Sequence, residues 1–308
     1  MEKSRKGFIP VMLTPFQSDG QVDYPALTRL TELYLKAGAA GLFANCLSSE
    51  MFELSAEERL QTIRHVVDVV GGAVPVVATG TFAGTLVEQA DFVKQVYEAG
   101  TEAVIAITGL LAPEAESDAV FNERVMRLLD WTAGIPMGFY ECPEPYKRLL
   151  SAEQLRQFVG TGRVIYHKDT CLDINGIREK LAAVEGAEFG LYDAYMVHAV
   201  ESLRAGAAGL SCIQGNFFPE LIVWLCNNYD NPYLTAEVAE VQQFFVRNMG
   251  VMHNVYPIVA KYSLKQRGID ISTFTRRKVG TLSSSVRKGV ETLCLDYSNL
   301  RKDLEWAA

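Results

Sequence analysis

Leu203-Arg-Ala-Gly-Ala-Ala-Gly-Leu210 has two counterparts upstream, Leu35-Lys-Ala-Gly-Ala-Ala-Gly-Leu42 and Tyr97-Glu-Ala-Gly-Thr-Glu-Ala-Val104, and the three together decide the fold. Each closes an amphipathic segment on glycine and opens a short apolar run. Glycine just past a helix takes the left-handed conformation at little cost, and Lys36 and Arg204 put a cation in the last turn, where the helix dipole favours one. Three copies of one helix-to-strand loop imply a repeated unit. Working outward, β-rich runs are expected at 8–16, 41–46, 75–79, 103–108, 137–142, 164–168, 188–192 and 209–213. Helices are expected between and after them, near 25–37, 57–70, 84–98, 118–132, 152–159, 173–184, 194–205 and 217–228. Such alternation is the pattern of a parallel sheet built from βαβ units. Eight pairs in about 220 residues fit a closed α/β (β/α)8 TIM barrel, usually about 250 residues, better than a doubly wound sheet. No GxGxxG follows the first run, and Gly80-Thr-Phe-Ala-Gly84 lacks the dinucleotide spacing. Beyond 230 the pattern is purely helical, near 234–249, 253–267 and 280–296. The reading therefore assigns 1–230 to a barrel catalytic domain and 231–308 to a C-terminal three-helix extension.

With 308 residues and 49% hydrophobic content against 21% charged, the chain can bury a large core, which excludes a disordered protein. A net charge of −8 without like-charge runs argues against nucleic acid or an anionic membrane as partner. Cys46, Cys142, Cys171, Cys212, Cys226 and Cys294 are scattered without a CxxC pair, so they read as reduced, mostly buried thiols rather than a zinc cage or disulfide framework. Neither a signal-peptide core nor a membrane-length apolar stretch is present, and a cytoplasmic protein is expected.

In a barrel the reacting groups come from the C-terminal ends of strands. The sixth run reads Val164-Ile-Tyr-His-Lys168-Asp169, and period-two alternation puts Val164, Tyr166 and Lys168 on one face. A lysine in a barrel mouth is poorly solvated, which lowers its pKa toward a nucleophilic amine able to attack a ketone carbon. The resulting iminium draws electrons from the neighbouring carbon, so a C–C or C–O bond beyond it can break or form. A solvated cap is the plainer reading of such a lysine. The fifth run ends on Tyr140, which could reach Lys168 from the adjacent strand and ferry protons, or could be a satisfied core phenol. After the second run, Leu47-Ser48-Ser49-Glu50 offers hydroxyls and backbone N–H groups for an anion, or a simple helix cap. His65 and His198 fall on expected helices and His253 in the tail, all read as surface or packing residues. His167 points opposite to Lys168, between barrel and helix, so no metal cluster forms from the histidines.

Thr14-Pro15-Phe16, Ser48-Ser49-Glu50 and Tyr140-x-x-Pro143 follow the first, second and fifth runs, Lys168-Asp169 ends the sixth, and Gly206-Ala-Ala-Gly-Leu-Ser211 lies at the eighth. In this order the chain resembles the dihydrodipicolinate synthase / N-acetylneuraminate lyase family over nearly its whole length. The resemblance implies a homotetramer, as a dimer of dimers, of class I enzymes without metal or organic cofactor. By it, Lys168 would form a Schiff base, Tyr140 would shuttle protons, Ser48 and Ser49 would bind a 2-oxo acid carboxylate and Glu50 would hold their loop. Asp193 and Leu210 would wall the substrate pocket. The chain departs from the family's synthases in the segment from Tyr192 to Gly206, about one helical turn longer than theirs, and at four other places. Leu47 replaces a hydroxyl residue, Gly109-Leu110-Leu111 stands where a tyrosine would enter a neighbour's site, Glu141 stands for asparagine, and Pro145 lies near the expected arginine, for which Lys147 or Arg148 could substitute. The expected function is an aldolase or dehydratase acting on a 2-oxo acid such as pyruvate or a 2-oxo-3-deoxy sugar acid. The alternatives are 4-hydroxy-tetrahydrodipicolinate (dihydrodipicolinate) synthase and a non-catalytic barrel that binds a 2-oxo acid.

Overall fold

The computed structural model describes residues 7–304. Eight strands run β1 (Gly7–Phe8), β2 (Leu42–Ala44), β3 (Val76–Thr79), β4 (Ala103–Ile107), β5 (Met137–Tyr140), β6 (Val164–Asp169), β7 (Gly190–Asp193) and β8 (Gly209–Leu210). All pair in parallel in the order β1-β8-β7-β6-β5-β4-β3-β2. The remaining seam, between the chain after β1 and β2, is spanned by a parallel bridge from Val11 to Phe43, with Met12 N–H donating to Phe43 and Phe43 N–H to Pro10. The sheet thus curls into the expected barrel.

Helices α1 (Tyr24–Ala37), α2 (Ala56–Val70), α3 (Leu86–Glu98), α4 (Thr108–Leu111), α5 (Asp118–Trp131), α6 (Ala152–Val159), α7 (Ile174–Ala183), α8 (Ala199–Ala205) and α9 (Pro219–Asn228) lie between or after the strands. The three repeated loops take the geometry their glycines permit: Gly38, Gly100 and Gly206 have φ of 88°, 100° and 116°. A second requirement for glycine is contact. A Cβ on Gly209 would lie 1.7 Å from the Gly7 carbonyl oxygen, so β8 can approach β1 only without a side chain there. Two apolar layers result: Ile9, Val11, Phe43, Val77, Ile105 and Tyr166 fill the lumen, while Leu42, Val104, Phe139 and Leu210 face the helices.

Several expected boundaries are corrected. The first strand stops at Phe8 instead of 16, because Pro10 has no N–H for a ladder, and Phe16 pairs antiparallel with Val22 in the loop that follows. The eighth stops at Leu210, where the chain turns into Ile213–Asn216. The seventh runs to Asp193, and a 3-10 turn at Met196–His198 precedes α8. Among the described residues the tail holds four helices, not three: α10 (Thr235–Arg247), α11 (Met249–His253), α12 (Ile258–Gln266) and α13 (Ser284–Asp303). The additional helix α11 fills the gap between the helices expected at 234–249 and 253–267, and Val255 at φ 45° with Pro257 delays the start of the latter to Ile258.

Candidate active site

β5 ends on Tyr140, which is paired with Lys168 on β6. Unbroken alternation would give Val164 the same face as Lys168, but the register slips between Met137 and Gly138. Val164 consequently packs with the outer layer, whereas Tyr166 lies in the lumen and Lys168 lines the cavity above it. Lys168 is 4% exposed, with Nζ 4.2 Å from the Tyr140 ring centroid and 5.8 Å from that of Phe43. A ring face favours a desolvated ammonium by about 2 kcal/mol or somewhat more, whereas full burial can disfavour the charged form of a lysine by about 4–7 kcal/mol. Desolvation wins and holds the amine below its ordinary pKa. The nearby thiols of Cys142 and Cys212 do not restore the charge: burial pushes Cys142 up to about 11 and Cys212 up to about 12, so both stay neutral at pH 7. Burial also raises the Tyr140 phenol well above 10, so it keeps a proton to donate.

These groups lie in a cavity of about 290 Å³ at the C-terminal mouth of the barrel. Ser48, Thr170, Ser211 and Gln214 form buried wall beside Lys168 and Tyr140. Of the serine pair, only Ser48 faces this space. Ser49 Oγ instead donates to the Met12 carbonyl at 2.6 Å and accepts the Cys46 N–H at 3.1 Å, tying the loop to the chain after β1. Glu50, fully buried and in the left-handed region at φ 56°, accepts Lys261 Nζ at 2.7 Å and the N–H groups of Arg276 and Arg277 at 2.7 and 2.9 Å. Asp193 lies behind the cavity wall, accepting the Tyr195 N–H at 2.9 Å and pairing with His198 at 3.1 Å. Leu210 points into the helix-facing layer because, on its strand, the inward direction belongs to its neighbours.

The tail contributes what motif reading missed. Tyr256 borders the cavity beside Ser48, and its oxygen accepts Asn216 Nδ2 at 2.6 Å. Asn216 Nδ2 also donates to Val11 at 2.8 Å, and the Tyr34 hydroxyl donates to Asn216 Oδ1. With both amide hydrogens spent, the Tyr256 hydroxyl hydrogen is left for Ser48 or a ligand. Arg277, paired with Glu144, and His253 stand at the open end with Lys147, which donates to the Thr170 carbonyl at 3.0 Å. His253 is exposed, as its reading as a surface residue expects, and it also lines the cavity mouth. Arg148 turns away, to Asp118 at 2.8 Å. Only Ser211 had a sequence signal, immediately after the repeated loop; Tyr256, His253 and Arg277 sit in a helical tail where no periodicity marks a site.

Behind Lys168 lies a buried charge cluster. Lys180 on α7 donates to Glu141 Oε1 and Asp169 Oδ2, each at 2.6 Å. His167, fully buried, is 3.4 Å from Glu141 and 3.5 Å from Asp169, close for charge pairing though long for hydrogen bonds. The ligand atoms of Glu141, His167 and Asp169 lie within 4.8 Å of one another, but an ammonium already neutralises the space a metal ion would take. Glu141 Oε2 accepts the Thr170 N–H at 2.9 Å and its backbone oxygen accepts the Thr170 hydroxyl at 2.6 Å, so the cluster also holds the cavity wall.

Comparison with known proteins places this geometry. The chain is 27% identical over 220 residues to Escherichia coli YagE, provisionally named a 2-dehydro-3-deoxy-D-gluconate aldolase, covering 70% of this chain and 72% of that protein. It is 24% identical over 263 residues to a Pseudomonas aeruginosa 4-hydroxy-tetrahydrodipicolinate synthase, covering 85% and 88%. The crystal structure of YagE from E. coli K12 in complex with pyruvate superposes with a TM-score of 0.85 at 24% identity, over 95% of this chain and 98% of that one. No helix among the described residues is long and apolar enough to cross a membrane. The model of the Dihydrodipicolinate synthetase family matches residues 4–295, and the chain belongs to that family.

Proposed function

We propose that the protein is a class I lyase, an aldolase or dehydratase, that condenses Lys168 with the keto group of a 2-oxo acid. The observation that carries this reading is the buried amine of Lys168, held below its ordinary pKa and packed against Tyr140 in the barrel mouth. The free amine adds to C2 of the acid. Tyr140 gives a proton to the departing hydroxyl, water leaves and an iminium forms. Electrons from a C3–C4 bond, or from a C3–H bond before loss of a leaving group further along, then flow into the iminium. This gives an enamine, which takes a proton at C3 after cleavage or expels the leaving group; hydrolysis of the iminium so regenerated returns the lysine. Ser48 and the backbone N–H groups of its turn are suited to the acid's carboxylate, and Glu50 supports the turn; Ser49, Asp193 and Leu210 act from behind the wall.

Borohydride tests the reading. Pyruvate plus borohydride is expected to add the acid's mass less one oxygen to the peptide containing Lys168, and absence of an adduct with every 2-oxo acid would exclude it. Tyr140→Phe is expected to keep the trapped adduct while turnover falls by about 10²–10⁴-fold. Undiminished turnover would remove the phenol from the proton path.

Synthesis of 4-hydroxy-tetrahydrodipicolinate is the second reading, supported by the names of curated relatives such as the P. aeruginosa protein. Leu47 and Leu110, where hydroxyl groups would be expected for it, are packed against the lumen cluster instead. A coupled assay with pyruvate and aspartate semialdehyde separates the two. The family resemblance also supports a homotetramer built as a dimer of dimers, to be checked by sedimentation, and the six free thiols suit a cytoplasmic location.

A further inference from the structure

Gln214 presents a polar group that the chemistry above does not use. It sits in the 3-10 turn after β8, is 2% exposed, and lines the cavity. Its Nε2 lies 3.3 Å from Nε2 of His253, while its Oε1 has no hydrogen-bond partner among the described residues. Partial desolvation at the cavity mouth holds the pKa of the otherwise exposed His253 below its ordinary value, so the neutral imidazole can accept from the amide. Were the amide turned over, the oxygen would meet the imidazole N–H and the NH₂ group would be the unpaired end. In both orientations one polar end faces the cavity without a protein partner among the described residues, so it is met by cavity water or by a ligand group that replaces that water.

We infer that Gln214, oriented by His253, is a specificity-determining residue that reads a hydroxyl group on the distal half of the substrate, which makes the substrate a polyhydroxylated 2-oxo acid. This inference rests on the lyase reading of Lys168. Three observations select the class. A cavity of about 290 Å³ is far larger than a three-carbon acid requires. The unmet group is a neutral amide, and a hydroxyl both donates and accepts, so it satisfies either amide orientation. A second carboxylate is less well served, because Arg277 is already neutralised by Glu144 and Lys147 is turned to the Thr170 carbonyl, which leaves no charge at the cavity mouth dedicated to it among the described residues.

The test compares two substrates that undergo the same C3–C4 cleavage, a 2-oxo-3-deoxyaldohexonate and 4-hydroxy-2-oxohexanoate, which lacks the two distal hydroxyls. Release of pyruvate is measured for the wild type, Gln214→Met and His253→Leu, with borohydride trapping of pyruvate on each protein as the control. The wild type is expected to favour the polyhydroxylated acid by about tenfold or more in kcat/KM, since a site built to bond a hydroxyl discriminates against its loss. Gln214→Met is expected to bring the two substrates within about threefold, through the polyhydroxylated one alone, with half-saturation for pyruvate trapping changed by less than about twofold. His253→Leu alters an exposed position and guards against a folding artefact; it is expected to narrow the preference by about threefold. Pyruvate trapping without any preference in the wild type, or a preference that survives in Gln214→Met, overturns the inference and leaves the lyase reading standing. Failure of every acid to trap removes both. Selectivity for an acid with a distal carboxylate over the polyhydroxylated one also overturns it.

Discussion

Lys168→Met is expected to abolish turnover, with kcat lower by about 10⁴-fold or more, and to abolish borohydride-dependent labelling altogether. Methionine matches the stem of lysine and suits a position that is 4% exposed among aromatic rings, so the fold should survive the change. A lysine that merely capped the strand would give a different result, because its loss would touch stability and leave labelling elsewhere. The pH dependence follows from the same burial. Only the free amine attacks the carbonyl, so trapping by the wild type should rise with pH and level off below the ordinary lysine value of 10.5. Levelling only above that value would mean the amine is solvated as in free lysine. Single-turnover trapping across a pH series checks both limbs on one protein.

The contrast between Lys168 and Val164 shows how much of this site was legible beforehand. Strand ends, repeated αβ loops and the order of motifs located the barrel and its reacting face, because glycine geometry and burial act locally along the chain. Alternation counted from Val164 nevertheless reached Lys168 for the wrong reason: a slip in register against β5 reverses the first residue and leaves the later ones inward. No pattern in six residues announces such a slip, since it is set by how Met137 and Gly138 meet the neighbouring strand. Likewise Tyr256, His253 and Arg277 become cavity residues through long-range anchors, chiefly Glu50 receiving Lys261 and the N–H groups of Arg276 and Arg277. These contacts link positions more than 200 residues apart, beyond the reach of local periodicity.

Lys180→Met is expected to destabilise the protein by about 3–5 kcal/mol, because it strands two carboxylates that the ammonium now neutralises in the interior. In the intact cluster Glu141 and Asp169 balance Lys180 and a protonated His167. Glu141 and Asp169 are held below their ordinary values of 4.5 and 3.8 by neighbouring His167 and Lys180, against the opposing cost of burial. Their contribution is present above those values and lost as pH falls through the lowered ones. His167 is raised above 6.5 by the two carboxylates, against its own desolvation, so its contribution is complete below 6.5 and lost as pH rises through the raised value. The cluster therefore stabilises most between about pH 4.5 and 6.5. Removing Lys180 also removes a charge that lowers His167, making the imidazolium the sole remaining counter-charge. The deficit of Lys180→Met should thus be smaller at pH 5 than at pH 8, as measured by denaturant unfolding. Adding Glu141→Gln should recover part of it, because Asp169 and His167 then balance as a pair. An unchanged deficit in the double variant would mean that packing of the lysine stem, rather than charge, makes Lys180 necessary.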